Sequence, residues 1–80
     1  MRVKVKALGW IERALKKSEQ DFEFDGKSVS DFFVALKRDF GVEADMSRLV
    51  VLVNGVGVQD ASYILKEGDT LTLLPIMSGG

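Results

Sequence analysis

Residues 28–41 read Ser28-Val29-Ser30-Asp31-Phe32-Phe33-Val34-Ala35-Leu36-Lys37-Arg38-Asp39-Phe40-Gly41, and the rest of the chain is organised around them. Ser28 is a good helix N-cap, and Asp31 follows three residues later, where a carboxylate suits the positive end of a helix. Val29, Phe32, Phe33, Leu36 and Phe40 recur at helical spacing and form one apolar stripe. Gly41 supplies the left-handed stop. A single helix with one apolar stripe needs an apolar sheet face to cover.

The flanking sequence supplies strands. Val3, Val5 and Ala7 alternate with Arg2, Lys4 and Lys6, which predicts a strand with one buried face, ended by Gly9. Trp10, Ile11, Ala14 and Leu15 then recur at helical spacing and predict a short amphipathic helix. Phe22 and Phe24 alternate with Asp21, Glu23 and Asp25, giving a second strand that Asp25-Gly26 turns. Leu49 to Val53 reads as a third strand, Asn54-Gly55 as a tight turn, and Val56 to Val58 as a brief return. Lys66-Glu67-Gly68-Asp69 is another turn. Thr70 to Leu74 alternates again, with Leu71 and Leu73 on one side, and Pro75, lacking an amide hydrogen, is expected to stop the ladder. The order β-β-α-β-β-β, with a helical insertion after the first strand, implies an α+β domain of two layers. Residues 1–75 form the domain in this reading, and 76–80 a flexible tail.

Composition limits the chemistry. Eighty residues leave room for one small core. Apolar residues at 46% with 29% charged are too many for a disordered chain. Eleven Lys and Arg against twelve Asp and Glu give a net charge of −1, so the cation surplus of a non-specific nucleic-acid binder is missing. Cys and His are both absent, which removes the thiolate nucleophile, the usual neutral-pH base and the commonest zinc ligands. The alternating N-terminus does not read as a signal peptide, and Leu49 to Val53 is too short to cross a bilayer. A cytoplasmic protein without membrane or nucleic-acid partners is expected.

Most candidate sites fail. Gly55-Val56-Gly57 lacks the third glycine and following helix of a dinucleotide site, and no lysine follows as in a phosphate loop. Asp21, Glu23 and Asp25 share a strand face, but antiparallel pairing of the first two strands would set them beside Arg2, Lys4 and Lys6, as cross-strand ion pairs. No metal site is expected. Phe22, Phe24, Phe32, Phe33 and Phe40 fit a core.

The C-terminus remains. Gly79-Gly80 follows directly after the last strand. Glycine has the most backbone freedom to lose on ordering, so two at this place do not serve stability. They make the backbone slim enough to thread a narrow slot and present a terminal carboxylate. That carboxylate becomes reactive once ATP adenylates it, a step for a partner enzyme because nothing in the sequence binds ATP. Sulfur then yields a thiocarboxylate, or an amine yields an amide.

On Leu52-Val53-Asn54-Gly55, Glu67-Gly68-Asp69-Thr70 and Leu73-Leu74-Pro75-Ile76-Met77-Ser78-Gly79-Gly80, the chain resembles the ubiquitin-like β-grasp sulfur carriers, in particular the molybdopterin synthase small-subunit type. The resemblance implies a mixed sheet of four to five strands packed on one main helix, with the first and last strands parallel and central. It implies that a ubiquitin-activating-type partner adenylates Gly80. A sulfur donor then makes the thiocarboxylate. Met77, Ser78 and Gly79 would thread with Ile76 into the synthase large subunit, where the sulfur goes to a pterin precursor in molybdenum cofactor biosynthesis. The chain would bind no cofactor and carry no catalytic side chain of its own. Residues 10–17 favour this type over the shorter thiamine-pathway carriers.

The residues add a docking surface. Leu8 continues the outward face of Arg2, Lys4 and Lys6, and Leu74 that of Thr70 and Thr72. Parallel neighbours would bring both leucines to the end where the tail leaves, as a partner contact, with Val56 or Val58 extending it. Three other functions remain open. One is a modifier joined through Gly80 to lysines of target proteins, another a carrier for thiamine synthesis or tRNA thiolation. The third is a plain β-grasp binding module.

Overall fold

Alternation at the N-terminus builds β1 (Arg2–Ala7), with Val3, Val5 and Ala7 buried and Arg2, Lys4 and Lys6 in solvent. In a computed structural model, which describes residues 1–76, β1 is followed by a short helix α1 (Gly9–Leu15), β2 (Glu19–Glu23), the main helix α2 (Val29–Phe40), β3 (Leu49–Val53), β4 (Val56–Val58) and β5 (Thr70–Pro75). The strands form one sheet in the order β2-β1-β5-β3-β4. β1 and β5 run parallel, Lys4 opposite Thr70 through Ala7 opposite Leu73, and every other pair is antiparallel. The parallel pair lies inside the sheet, as the family resemblance implied.

Helix α2 starts and stops as its sequence dictates. Ser28 Oγ accepts the Asp31 amide at 3.1 Å, and Asp31 Oδ2 accepts the Ser28 and Lys27 amides at 3.2 and 2.9 Å. These bonds hold the Asp31 carboxyl below its ordinary pKa, the Lys27 amide most of all. Gly41, at φ 69°, closes the other end with its amide on the Lys37 carbonyl. The buried stripe of α2 joins the inward residues of every strand except β4 in one core, together with Ile11 and Leu15 of α1. Phe32 sits among Phe22 and Phe24, ring centroids 5.5 and 5.7 Å away in edge-to-face geometry.

Several details differ from the sequence reading. Phe24 lies just past β2, although it is buried and its amide donates to the Met1 carbonyl at 3.0 Å. Phe40, in the last turn of α2, is 37% exposed. Its ring still lies 5.9 Å from that of Phe22. Ala14 faces solvent, since α1 buries only Ile11 and Leu15. Asp25 is outside the cross-strand charge pattern. Glu19 takes its place, bridging Lys4 at 3.3 Å while Arg2 bridges Glu23 at 3.3 Å.

Pro75 does not stop the ladder. It pairs with Leu49, and the Ile76 amide donates to the Arg48 carbonyl at 3.2 Å. In this register the backbone groups of Leu74 and Ile76 face β3, and those of Pro75 face the β1 side. There β1 has already ended, so the missing amide hydrogen leaves no gap. No helix among the described residues is long and apolar enough to cross a membrane.

Candidate functional site

Because β1 and β5 are parallel, their C-terminal ends arrive together, and the Leu8 amide donates to the Leu73 carbonyl at 3.2 Å. Leu8 and Leu74 therefore meet on the outward face, as the sequence predicted. Leu8 is 51% exposed and Leu74 half-buried. β3 adds a residue the sequence reading missed. Val50 is paired with Leu74 and is 42% exposed. Within the run Leu49-Val50-Val51-Leu52-Val53 both faces are apolar, so the sequence carries no phase to show that Leu49, Val51 and Val53 point inward and Val50 outward. Leu8, Leu74 and Val50 form an apolar row across three strands.

Val56 and Val58 do not join that row. They pair with the inward residues Val53 and Val51, and residues directly opposite one another point to the same face. Val58 packs against the core from the edge, and Val56 is 68% exposed on the helix side.

The chain leaves the sheet between two supports. Gly9, at φ 64°, lies so close to Pro75 that a Cβ there would stand 2.6 Å from the proline Cγ. On the other side Arg48 holds the Ile76 amide through its carbonyl. The Arg48 guanidinium lies 4.8 Å from the Trp10 ring centroid and donates to the Glu43 carbonyl at 2.6 Å. Ile76, 45% exposed, forms one wall of a groove of about 220 Å³ with Met46, Leu49, Val50 and Val58. Met77, Ser78, Gly79 and Gly80 lie outside the described residues.

The family-specific residues upstream of the tail serve the fold. Asn54, at φ 52°, donates from Nδ2 to Asp69 Oδ1 at 2.9 Å and accepts the Thr70 amide on Oδ1 at 2.9 Å. Glu67 accepts the Arg2 amide at 3.1 Å, and Asp69 accepts the Lys66 amide at 2.8 Å. These two turns clasp the starts of β1 and β5 at the end of the sheet opposite the tail. Among the described residues no group of three His, Cys, Asp or Glu could hold a metal ion. What the end of the sheet at Leu8 and Leu74 offers is an apolar row beside Ile76.

The ThiS family profile matches residues 5–80. No curated protein matches the chain in sequence. Among solved structures it is similar to a Pyrococcus furiosus protein assigned as molybdopterin converting factor subunit 1, at 24% identity and TM-score 0.79 over 96% of this chain and 99% of that one. It is also similar to SAMP1 from Haloferax volcanii, at 24% identity and TM-score 0.74 over the whole of both chains. A third similar structure is the complex of subunits 1 and 2 of molybdopterin-converting factor from Helicobacter pylori, at 21% identity and TM-score 0.68, again over the whole of both chains. At these identities the solved structures establish a shared β-grasp fold, and the profile match over nearly the full length establishes kinship: the chain belongs to the ThiS family of ubiquitin-like sulfur carriers.

Proposed function

We propose that the protein carries sulfur on Gly80 as the small subunit of a molybdopterin synthase. A ubiquitin-activating-type enzyme brings ATP. The Gly80 carboxylate attacks the α-phosphorus and pyrophosphate leaves. Sulfide-level sulfur from a donor then attacks the acyl carbon of the adenylate, AMP leaves, and the thiocarboxylate remains. ATP stays with the activating partner, and the carrier contributes no catalytic side chain. The synthase large subunit receives the tail from Ile76 onward, with Gly79 giving clearance. The profile match that runs through Gly79-Gly80 carries this reading. The similarity to molybdopterin-converting factors favours the pterin acceptor. Leu8, Leu74 and Val50 provide the partner contact.

The test is the intact mass of the protein after incubation with ATP, a sulfur donor and the activating enzyme of its own organism. The expected result is a gain equal to sulfur replacing oxygen, absent when Gly80 is deleted. No gain in the presence of an activating enzyme shown to be active would overturn the proposal. The similarity to SAMP1 supports a second reading, a modifier joined through Gly80 to lysines. Reductant-resistant conjugates of higher mass, lost on deletion of Gly80, would establish it.

A further inference from the structure

Gly57 is the one glycine among the described residues that neither its own backbone nor a crowded neighbour explains. Every other described glycine has a positive φ. Gly57 lies mid-strand in β4, and a Cβ built on it would meet only Leu52 Cδ2, at 3.9 Å, an ordinary contact. Glycine weakens a strand, because it has more freedom to lose and no side chain to pack. Within the chain, then, a β-branched residue would serve better here. A glycine with no internal reason marks a place where something outside comes close to the backbone.

The register shows what it would meet. The Asn54 amide donates to Thr70 and the Ile76 amide to Arg48, so the even-numbered residues of β3 turn their backbone groups to β5 and the odd-numbered ones to β4. Leu52 opposite Gly57 is accordingly a pair without mutual hydrogen bonds. The Gly57 amide and carbonyl point out of the free edge of the sheet, where β4 is the last strand among the described residues. The missing side chain would have stood on the outward face, beside Leu52 and Val50. Gly57 also lines the groove that has Ile76 as a wall.

The tail narrows the choice to an enzyme that reacts with Gly80. This step rests on the sulfur-carrier reading. Four residues follow Ile76, and fully extended they span at most about 14 Å. A nucleotide site that reacts with Gly80 lies within that reach of Ile76, which itself lines the groove, so the enzyme around it stands close to the groove. We propose that an extended segment of the adenylating enzyme lies along the β4 edge at Gly57, exchanges backbone hydrogen bonds with it, and seats an aliphatic side chain between Met46, Val50 and Ile76.

The experiment compares wild type, Gly57→Ala and Gly57→Thr in ATP–pyrophosphate exchange catalysed by the activating enzyme of the same organism, with thermal unfolding measured in parallel. Gly57→Thr is expected to keep or raise the Tm, to raise the KM for the carrier at least about tenfold and to leave kcat nearly unchanged. Gly57→Ala is expected to fall between the two. An unchanged KM for Gly57→Thr, with wild type active, overturns the proposal and leaves the sulfur-carrier reading intact. A Tm that falls in both variants overturns it too, because the glycine would then serve the fold. A wild-type protein that supports no exchange removes the sulfur-carrier reading, and this inference with it.

Discussion

Asn54 is the residue on which two loops depend. Its side chain joins the β3–β4 turn to the turn before β5, and its φ of 52° suits asparagine better than most residues. Asn54→Ala is expected to lower stability by about 1–2 kcal/mol, from two lost hydrogen bonds and the strained φ. The check is the midpoint of urea unfolding at constant m-value. Charge at single residues also sets the acid limit. The amides of Lys27 and Ser28 lower the Asp31 pKa from 3.8, the Ser47 hydroxyl and amide lower that of Asp45, and the Ser62 amide and hydroxyl lower that of Asp60. Each carboxyl therefore releases its proton more readily folded than unfolded. The stabilisation is complete above the unfolded pKa and is lost as pH falls through the lower folded one. Asp31→Asn should accordingly be less stable than wild type at pH 7, with the difference shrinking below about pH 4. A difference that stays constant down to pH 2 would contradict this account.

Helix α2 and strand β5 hold the domain together as elements. Phe32 is fully buried on α2 and meets both aromatic residues of the β2 region. Phe32→Ala is expected to lose about 3–5 kcal/mol through lost transfer energy and the cavity left behind. A domain of this length has roughly 4–12 kcal/mol in total, so the variant should unfold at clearly lower urea or not fold at all. The ends of β1, β5 and β3 act as a second unit, presenting Leu8, Leu74 and Val50 in a row. Leu8→Glu or Val50→Glu places a charge where solvent already reaches, so the Tm should change little. Affinity for the partner in a pull-down or titration should fall about tenfold or more. Val56→Glu, on the other face, serves as the control and should bind as wild type does.

At the scale of the whole molecule, the folded body fixes Ile76 between Arg48 and the Gly9–Pro75 contact, and the proposed function assigns the chemistry to the terminal carboxylate. Deleting Gly80 is expected to abolish thiocarboxylate formation while leaving the unfolding curve unchanged. Deleting Ile76 to Gly80 as a block should also release the Arg48 carbonyl and lower the Tm slightly. A truncation at Gly80 that still gained sulfur would place the chemistry elsewhere in the chain.

The sequence by itself determined the elements whose cause is local. The period-two alternation of β1, the capped stripe of α2, the Asn54-Gly55 turn and the strand before Pro75 all follow from neighbouring residues. Tertiary structure decided which residues share a surface. Val50 belongs beside Leu8 and Leu74, and Val56 and Val58 do not, because strand register assigns the faces and an all-apolar run carries no phase of its own. Pro75 could end β5 without ending the ladder because the side that lacks its amide hydrogen is the side β1 has already left. The exposure of Phe40, the seat of Arg48 over Trp10 and the free edge at Gly57 depend likewise on residues far away in the chain, which the sequence order does not bring together.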